Sequence, residues 1–259
     1  MMCSDLATSC ENSRDTSNIV SIIIPVYNEL NTIYAMHSIW RIWSAQPQVE
    51  LIFVDGGSQD GSESLLTELG FKVIRSDKGR AAQMNLGAQH TQGSLLWFIH
   101  ADTFFKTPEL AVTHLLQRTA RVMIEQKSCY FWGFTQVSIE STNASVRQKL
   151  CFFCIAVLIN LRSSLTKVST GDQCQFFSKA LFDKLGGFAP IPLLEDVCIA
   201  KQARYHTKPL VLRIKARTSG RRWLQQGIIK TVILMWRIRF LYWQGVSPDK
   251  LQKMYTSER

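Results

Sequence analysis

The sequence predicts an α/β protein: a mainly parallel central sheet flanked by helices on both faces, with a C-terminal helical extension. Two observations carry this prediction. Short β-branched runs alternate with segments of helical periodicity from residue 19 to residue 99, and a basic, aromatic segment follows residue 218.

Residues 19–26 (Ile-Val-Ser-Ile-Ile-Ile-Pro-Val) are a nearly unbroken apolar run, the pattern of a strand covered on both faces. The pattern returns over 51–54, more weakly over 71–74, and again over 95–99. Between these runs, 31–43, 62–69 and 80–90 read as helices. That order gives right-handed βαβ units. Beyond residue 125 the signal is less regular; a strand is expected around 174–177 and a helix over 193–205. The implied organisation is a disordered polar leader over 1–18, one domain over 19–218 and a helical extension over 219–259.

A chain of 259 residues, 46% hydrophobic and 19% charged, can bury one sizeable core. The leader has no apolar stretch of the signal-peptide kind. No run of about 18 uncharged apolar residues stands out, so no membrane-spanning helix is expected. Seven cysteines, an odd number at irregular spacing, point to free thiols and a cytoplasmic location. Charge is unevenly placed. Residues 201–259 hold fourteen Lys and Arg against two acids, net +12, so the rest of the chain is at −2. Such a segment suits phosphate groups, whether of nucleotides, lipid head groups or nucleic acid, or a solvated surface.

The chemistry gathers where strands end, since the carboxyl ends of parallel strands form the ligand crevice. The first strand runs into Pro25-Val-Tyr27-Asn-Glu29, the second into Asp55-Gly-Gly-Ser-Gln-Asp60, and the fourth into His100-Ala-Asp102-Thr. Carboxylates at one edge repel unless a cation or hydrogen-bond donors compensate them. A ribose, a base N–H and a divalent metal would do so; singly, Asp55 and Asp60 equally suit turn closure and helix capping.

The segments S-I-I-I-P-V-Y-N-E (21–29), V-D-G-G-S-Q-D-G-S (54–62) and F-I-H-A-D-T (98–103) resemble those of the family 2 glycosyltransferases of the GT-A fold. G-R-A-A-Q-M-N-L-G-A (79–88), G-D-Q-C-Q-F-F (171–177), L-G-G-F (185–188) and L-L-E-D-V (193–197) extend the likeness to a bacterial subgroup of unassigned substrate. The resemblance implies a single-sugar, inverting, metal-dependent transfer from a nucleotide-diphosphate sugar to a hydroxyl acceptor. In its terms Asp55 accepts a hydrogen bond from the base or ribose, Pro25 and Tyr27 wall the base, Glu29 supports that pocket or the ribose, and Arg80 lies over the nucleotide or its phosphates. Asp102 is the ligand of Mg²⁺ or Mn²⁺, for which one or two carboxylates suffice because phosphates and waters complete the shell. His100 stands where the family's D-x-D pattern has its first acid, and takes the ribose or packs. Asp196 is the general base, with Glu195 beside it, and Asp172 bonds donor or acceptor hydroxyls.

The basic segment then acquires a role. Ser219-Gly-Arg221-Arg222-Trp223 resembles the Q-x-x-R-W element of processive relatives without its glutamine. Arg221 or Arg222 would neutralise the departing diphosphate and Trp223 would shape the acceptor pocket. Residues 223–243 mix aromatics with Lys230, Arg237 and Arg239, which fits a helix at an anionic membrane surface, serving a lipid-linked acceptor at the inner face of the plasma membrane, or a helix buried on the domain. The apolar run 151–161 is short for a bilayer, and reads as a buried helix or an acceptor-side membrane contact. Its C-x-x-C pair, Cys151 and Cys154, reads as structural packing, and the sequon Asn143-Ala-Ser145 as chance. Competing readings are a retaining glycosyltransferase, a sugar nucleotidyltransferase, and a non-catalytic phosphate- or lipid-binding protein. A glycine-rich basic loop after the first strand, usual in nucleotidyltransferases, is replaced by Y-N-E. Nucleic acid is not an expected partner, because the strand-end carboxylates repel a polyanion.

Overall fold

Strands form where the β-branched runs lie: β1 (Val20–Val26), β2 (Val49–Asp55), β3 (Lys72–Arg75) and β4 (Leu95–Phe98). Helices α1 (Leu30–Ser44), α2 (Ser62–Glu68) and α3 (Arg80–Gln89) connect them. The computed structural model describes residues 19–141 and 143–257, Gln126 and Arg222 by backbone alone, so the leader 1–18 lies outside the described residues. β2 and β4 pair in parallel with β1, and β3 in parallel with β2.

Alternate residues of β1 feed two cores. Val20, Ile22, Ile24 and Val26 join Trp40, Trp43, Phe53 and Trp97 on one face, while Ile23 joins Ile52, Val54 and Phe98 on the other. Both faces are covered, which is why the strand reads as a continuous apolar run. Trp97 packs on Phe105 and on Trp43 at ring-centroid distances of 5.1 and 6.3 Å. Such pairs add ~0.5–1.5 kcal/mol each beyond area burial, fixing β4 against the helical layer.

The later chain contributes α4 (Pro108–Gln126), β5 (Trp132–Glu140), α5 (Val146–Thr166), a 3-10 turn (Gly171–Gln173), β6 (Phe176–Ser178), α6 (Lys179–Lys184), α7 (Glu195–His206) and β7 (Leu210–Ser219). The seven strands lie in the order β3-β2-β1-β4-β6-β5-β7. β6 is antiparallel to β4 and β5, and β7 is parallel to β5. The basic segment therefore contains a strand the sequence pattern did not announce. In β7 the cations Arg213, Lys215 and Arg217 alternate with Leu212 and the buried Ala216. They decorate an edge strand, where charge discourages pairing with other chains, and Arg217 bonds Glu140 at 2.7 Å.

The helix expected over 223–243 is two helices, α8 (Arg221–Gln226) and α9 (Ile228–Trp243), followed by α10 (Pro248–Ser257). Gly227, at φ 87°, makes the break in a conformation that a side chain disfavours. α9 buries Thr231, Leu234 and Ile238, packing on Leu194, Val197 and Leu251, while Ile229, Ile233, Trp236, Phe240 and Trp243 stay exposed.

The expectation about membrane-length segments needs correction at α5. Its 21 residues are long and apolar enough, by length and composition, to cross a bilayer. The apolar pattern continues past Leu161 to Leu165, and Arg162 turns aside toward the domain. Only Phe152, Ala156 and Ser163 of this helix are buried, so it is not the buried helix considered for 151–161.

Candidate active site

The carboxyl ends of β1 and β2 are held together by Gln83 of α3, whose buried Nε2 donates to the carbonyls of Val26 and Val54, both at 2.8 Å. Pro25 lies near the end of β1. Just beyond, the exposed ring of Tyr27 lies beneath Lys78, with Nζ 4.1 Å from the centroid. Lys78 thus joins this wall through a cation–π contact that no motif announced. Glu29 accepts from Thr32 Oγ1 at 2.5 Å, and its own N–H donates to Ser62 Oγ at 2.9 Å.

Asp55 is fully buried. Its Oδ2 accepts from the N–H groups of Gly57 and Ser58 at 2.9 and 2.8 Å, and its Oδ1 from Ser58 Oγ. Asp60 accepts from the N–H groups of Leu30 and Ser62 and from Ser62 Oγ. These two acids are therefore compensated by local donors and need no cation. They shape the loops that surround the crevice.

A second group forms where β4, the 3-10 turn and α7 meet. His100 Nδ1 is 3.3 Å from Asp172 Oδ1. The Gly171 N–H donates to Asp196 Oδ2 at 2.5 Å, and the Val197 N–H to Asp196 Oδ1 at 2.7 Å. A Cβ on Gly171 would lie 2.8 Å from His100 Nε2, so glycine is what allows the turn to come this close. Arg80, at the start of α3, reaches Glu195 with Nε 4.0 Å from Oε1. A small cavity is lined by Arg80, His100, Gly171, Gln175, Glu195 and Asp196. Glu195 is only 4% exposed. Burial pushes both carboxyls above their ordinary range; the charge of Asp196 raises Glu195 further, and Arg80 opposes the rise in both.

Among the supports of this group, Gln173 and Gln175 lie in the segment G-D-Q-C-Q-F-F, which assigned them no role, while Arg162, Ser163 and Ser169 lie outside every motif. Gln175 Nε2 donates to the Asp196 carbonyl at 2.9 Å and to Ser169 Oγ at 2.8 Å. Ser163 of α5 donates to Gln173 Oε1 at 2.7 Å, and Arg162 donates to Ser163 Oγ at 3.0 Å. Arg162 also lies in the field of Asp196, which opposes the lowering of its pKa by burial. For Arg162 the only sequence signal was a cation interrupting an apolar run.

Asp102 follows β4 by a short turn. Among the described residues its carboxylate has no hydrogen-bond or ion-pair partner, and the neighbouring Thr103 Oγ1 is buried without one. No three His, Cys, Asp or Glu side chains among the described residues converge to hold a metal alone. The residues present fit a cation that takes one protein carboxylate and fills its shell from phosphates and water. Arg221 and Trp223 sit elsewhere. The Arg221 N–H donates to Ser219 Oγ, and Trp223 packs with Ile139 and Phe152; among the described residues neither makes a hydrogen bond or ion pair with the Arg80–Asp196 group. Arg222 is placed in α8 by its backbone.

This sheet, with its acidic crevice at the strand ends, is that of a GT-A glycosyltransferase. Residues 21–150 match the family model for glycosyl transferase family 2, and the chain belongs to that family. It is 29% identical over 174 residues to an uncharacterized glycosyltransferase of Mycobacterium tuberculosis, covering 65% of this chain and 62% of that protein. The chain thus spans less than two thirds of that relative. Glycosyltransferase AglE of Haloferax volcanii is 30% identical over 95 residues, covering 34% of this chain and 31% of AglE. Among solved structures, the Pyrobaculum calidifontis mannosyltransferase PcManGT superposes with a TM-score of 0.55 at 16% identity, over 78% of this chain and 57% of that one. S. aureus TarS gives 0.54 at 16% identity, over 83% of this chain and 65% of that one.

Proposed function

We propose that this glycosyltransferase moves one sugar from a nucleotide-diphosphate sugar to a hydroxyl acceptor with inversion at the anomeric carbon, assisted by Mg²⁺ or Mn²⁺. The observation that carries the reading is the convergence of Arg80, His100, Asp172 and Asp196, with Asp102 two residues past His100 in the turn that follows β4. PcManGT is described in complex with GDP-Man and Mn²⁺, and TarS with UDP-GlcNAc, which supports this donor class and metal.

Asp196 takes the proton of the acceptor hydroxyl as its oxygen attacks the anomeric carbon. The bond from that carbon to the diphosphate breaks, and the nucleoside diphosphate leaves with the electron pair. A carboxylate raised by burial is the stronger base for this step. Arg80 places positive charge over the departing phosphates; Asp102 would hold the divalent cation, which would supply further charge neutralisation there. On the donor side Tyr27 and Pro25 wall the base, with Glu29 behind them; Asp55 meets the donor only if Ser58 Oγ turns away from it. Arg221 or Arg222 neutralises the departing diphosphate and Trp223 shapes the acceptor pocket, which needs α8 to approach the site when substrate binds.

The free cysteines at 129, 151, 154, 174 and 198 support a reducing, cytoplasmic setting, and the basic helices support an anionic membrane surface and a lipid-linked acceptor. Proton NMR of the sugar released by slow donor hydrolysis tests the stereochemistry. The first-formed sugar, observed before mutarotation, should have the anomeric configuration opposite to the donor's. Retention would overturn the direct displacement by an acceptor oxygen that Asp196 deprotonates.

A further inference from the structure

Two helices expose apolar stripes on the side away from the domain. In α5 the exposed residues Leu150, Phe153, Val157, Leu161 and Leu165 recur at spacings of three and four, so they share one face. In α9 the exposed residues Ile229, Ile233, Trp236, Phe240 and Trp243 do the same. Residues on a helix turn ~100° per position, so Lys230 and Arg237 flank one edge of the α9 stripe and Arg239 the other. Arg147 and Lys149 stand in the first turn of α5 and Lys167 just past its end, and neither helix contains an acid. The two helices are neighbours: Phe152 and Ile155 pack with Trp223 and Leu224 of α8 and Ile228 of α9.

We infer that α5 and α9 together dock the enzyme on an anionic bilayer, lying in the head-group plane with their apolar stripes inserted. Charge selects this occupant. Apolar stripes edged with cations suit an apolar layer beneath anionic head groups. A second copy of the chain would instead bring like charges together. α5 lies along the surface and does not cross it, because its inner face is tied to the domain. Asn160 bonds both the N–H and the carbonyl of Val137 at 2.9 Å, and Ser163 bonds Gln173. Through Gln173 the docked helix reaches the turn carrying Gly171 and Asp172. Gln173 and Gly171 share that turn, and the Gly171 N–H holds Asp196, so the docked helix is linked to the proposed base. Taken with the proposed transfer, on which this step rests, the acceptor is a membrane-anchored molecule whose hydroxyl stands at head-group level.

The test uses the full chain and vesicles of phosphatidylcholine, with or without phosphatidylglycerol. Wild type should co-sediment with the anionic vesicles, and added salt should weaken the binding. Phe153→Glu/Leu161→Glu and Ile233→Glu/Trp236→Glu should each lower the partition coefficient by roughly tenfold or more, with unchanged donor hydrolysis and melting midpoint. If the α5 variant fails to fold, Phe153→Ser/Leu161→Ser takes its place. Wild type that stays in the supernatant at low salt overturns the inference, as does an α5 variant that binds like wild type. A wild-type dimer that becomes a monomer in the α5 variant, by sedimentation velocity, would assign the face to a second copy and overturn it equally. Vesicle binding without any donor hydrolysis would count against the transferase reading alone; hydrolysis without vesicle binding would count against this inference alone.

Discussion

Asp196→Asn is expected to lower kcat by about 10²–10⁴-fold while leaving the donor Kd nearly unchanged. The carboxylate is anchored by the Gly171 and Val197 N–H groups, which aim it without consuming all its lone pairs. Asparagine keeps the size and one acceptor but cannot take a proton. The pH profile gives an independent reading. Burial holds the Asp196 carboxyl above its ordinary range, so wild-type activity should fall with acidification at a pH above that of a free aspartate. The variant's residual activity should lack this acid limb. Pre-steady-state turnover and equilibrium donor binding measure the two quantities. Near-normal turnover in Asp196→Asn together with an inactive Glu195→Gln would move the base to the more buried neighbour.

Asp102→Ala and Asp55→Ala should both raise the donor Kd by roughly 10²-fold or more, about 2.7 kcal/mol, for different reasons. Among the described residues Asp102 has no hydrogen-bond or ion-pair partner, so its removal should leave the melting midpoint intact and erase the metal dependence of donor binding. Asp55, itself fully buried, satisfies the Gly57 and Ser58 N–H groups of the half-exposed loop that follows β2. Its removal orphans them and should lower the melting midpoint while any remaining donor binding still responds to metal. Titration calorimetry with and without Mn²⁺, beside thermal melts, separates the two. Metal-dependent binding that persists in Asp102→Ala would remove Asp102 from the metal site.

β1, β2 and β4 were legible because they are buried between the two layers and so are written as apolar runs, while β3, a half-exposed edge strand, reads more weakly. β7 was not, because its exposed face carries Arg213, Lys215 and Arg217, and an alternating cation reads as surface charge until its partner β5 is known. β5 escaped for a related reason: Thr135, Gln136 and Ser138 dilute an apolar face whose pairing to β6 and β7 is long-range. The break at Gly227 was readable in principle as an isolated glycine in a helical pattern. At the site, the motifs gave the positions of Arg80, His100, Asp172, Glu195 and Asp196, since each follows a strand or opens a helix. They could not give the state of Asp55 and Asp60, whose compensation by backbone N–H groups depends on loop geometry. Nor could they show that Arg162 and Ser163 of an apolar helix reach the turn beneath Asp196.

The most direct measurement of the central claim is a thermal-shift screen of nucleoside diphosphate sugars against the full chain, with Mn²⁺ and with EDTA. At least one donor should raise the melting midpoint of the wild-type protein when metal is present, and EDTA should remove most of that shift. The same donor should be slowly hydrolysed by wild type and not by Asp196→Asn. A chain that no nucleotide sugar stabilises, with or without metal, would contradict the account.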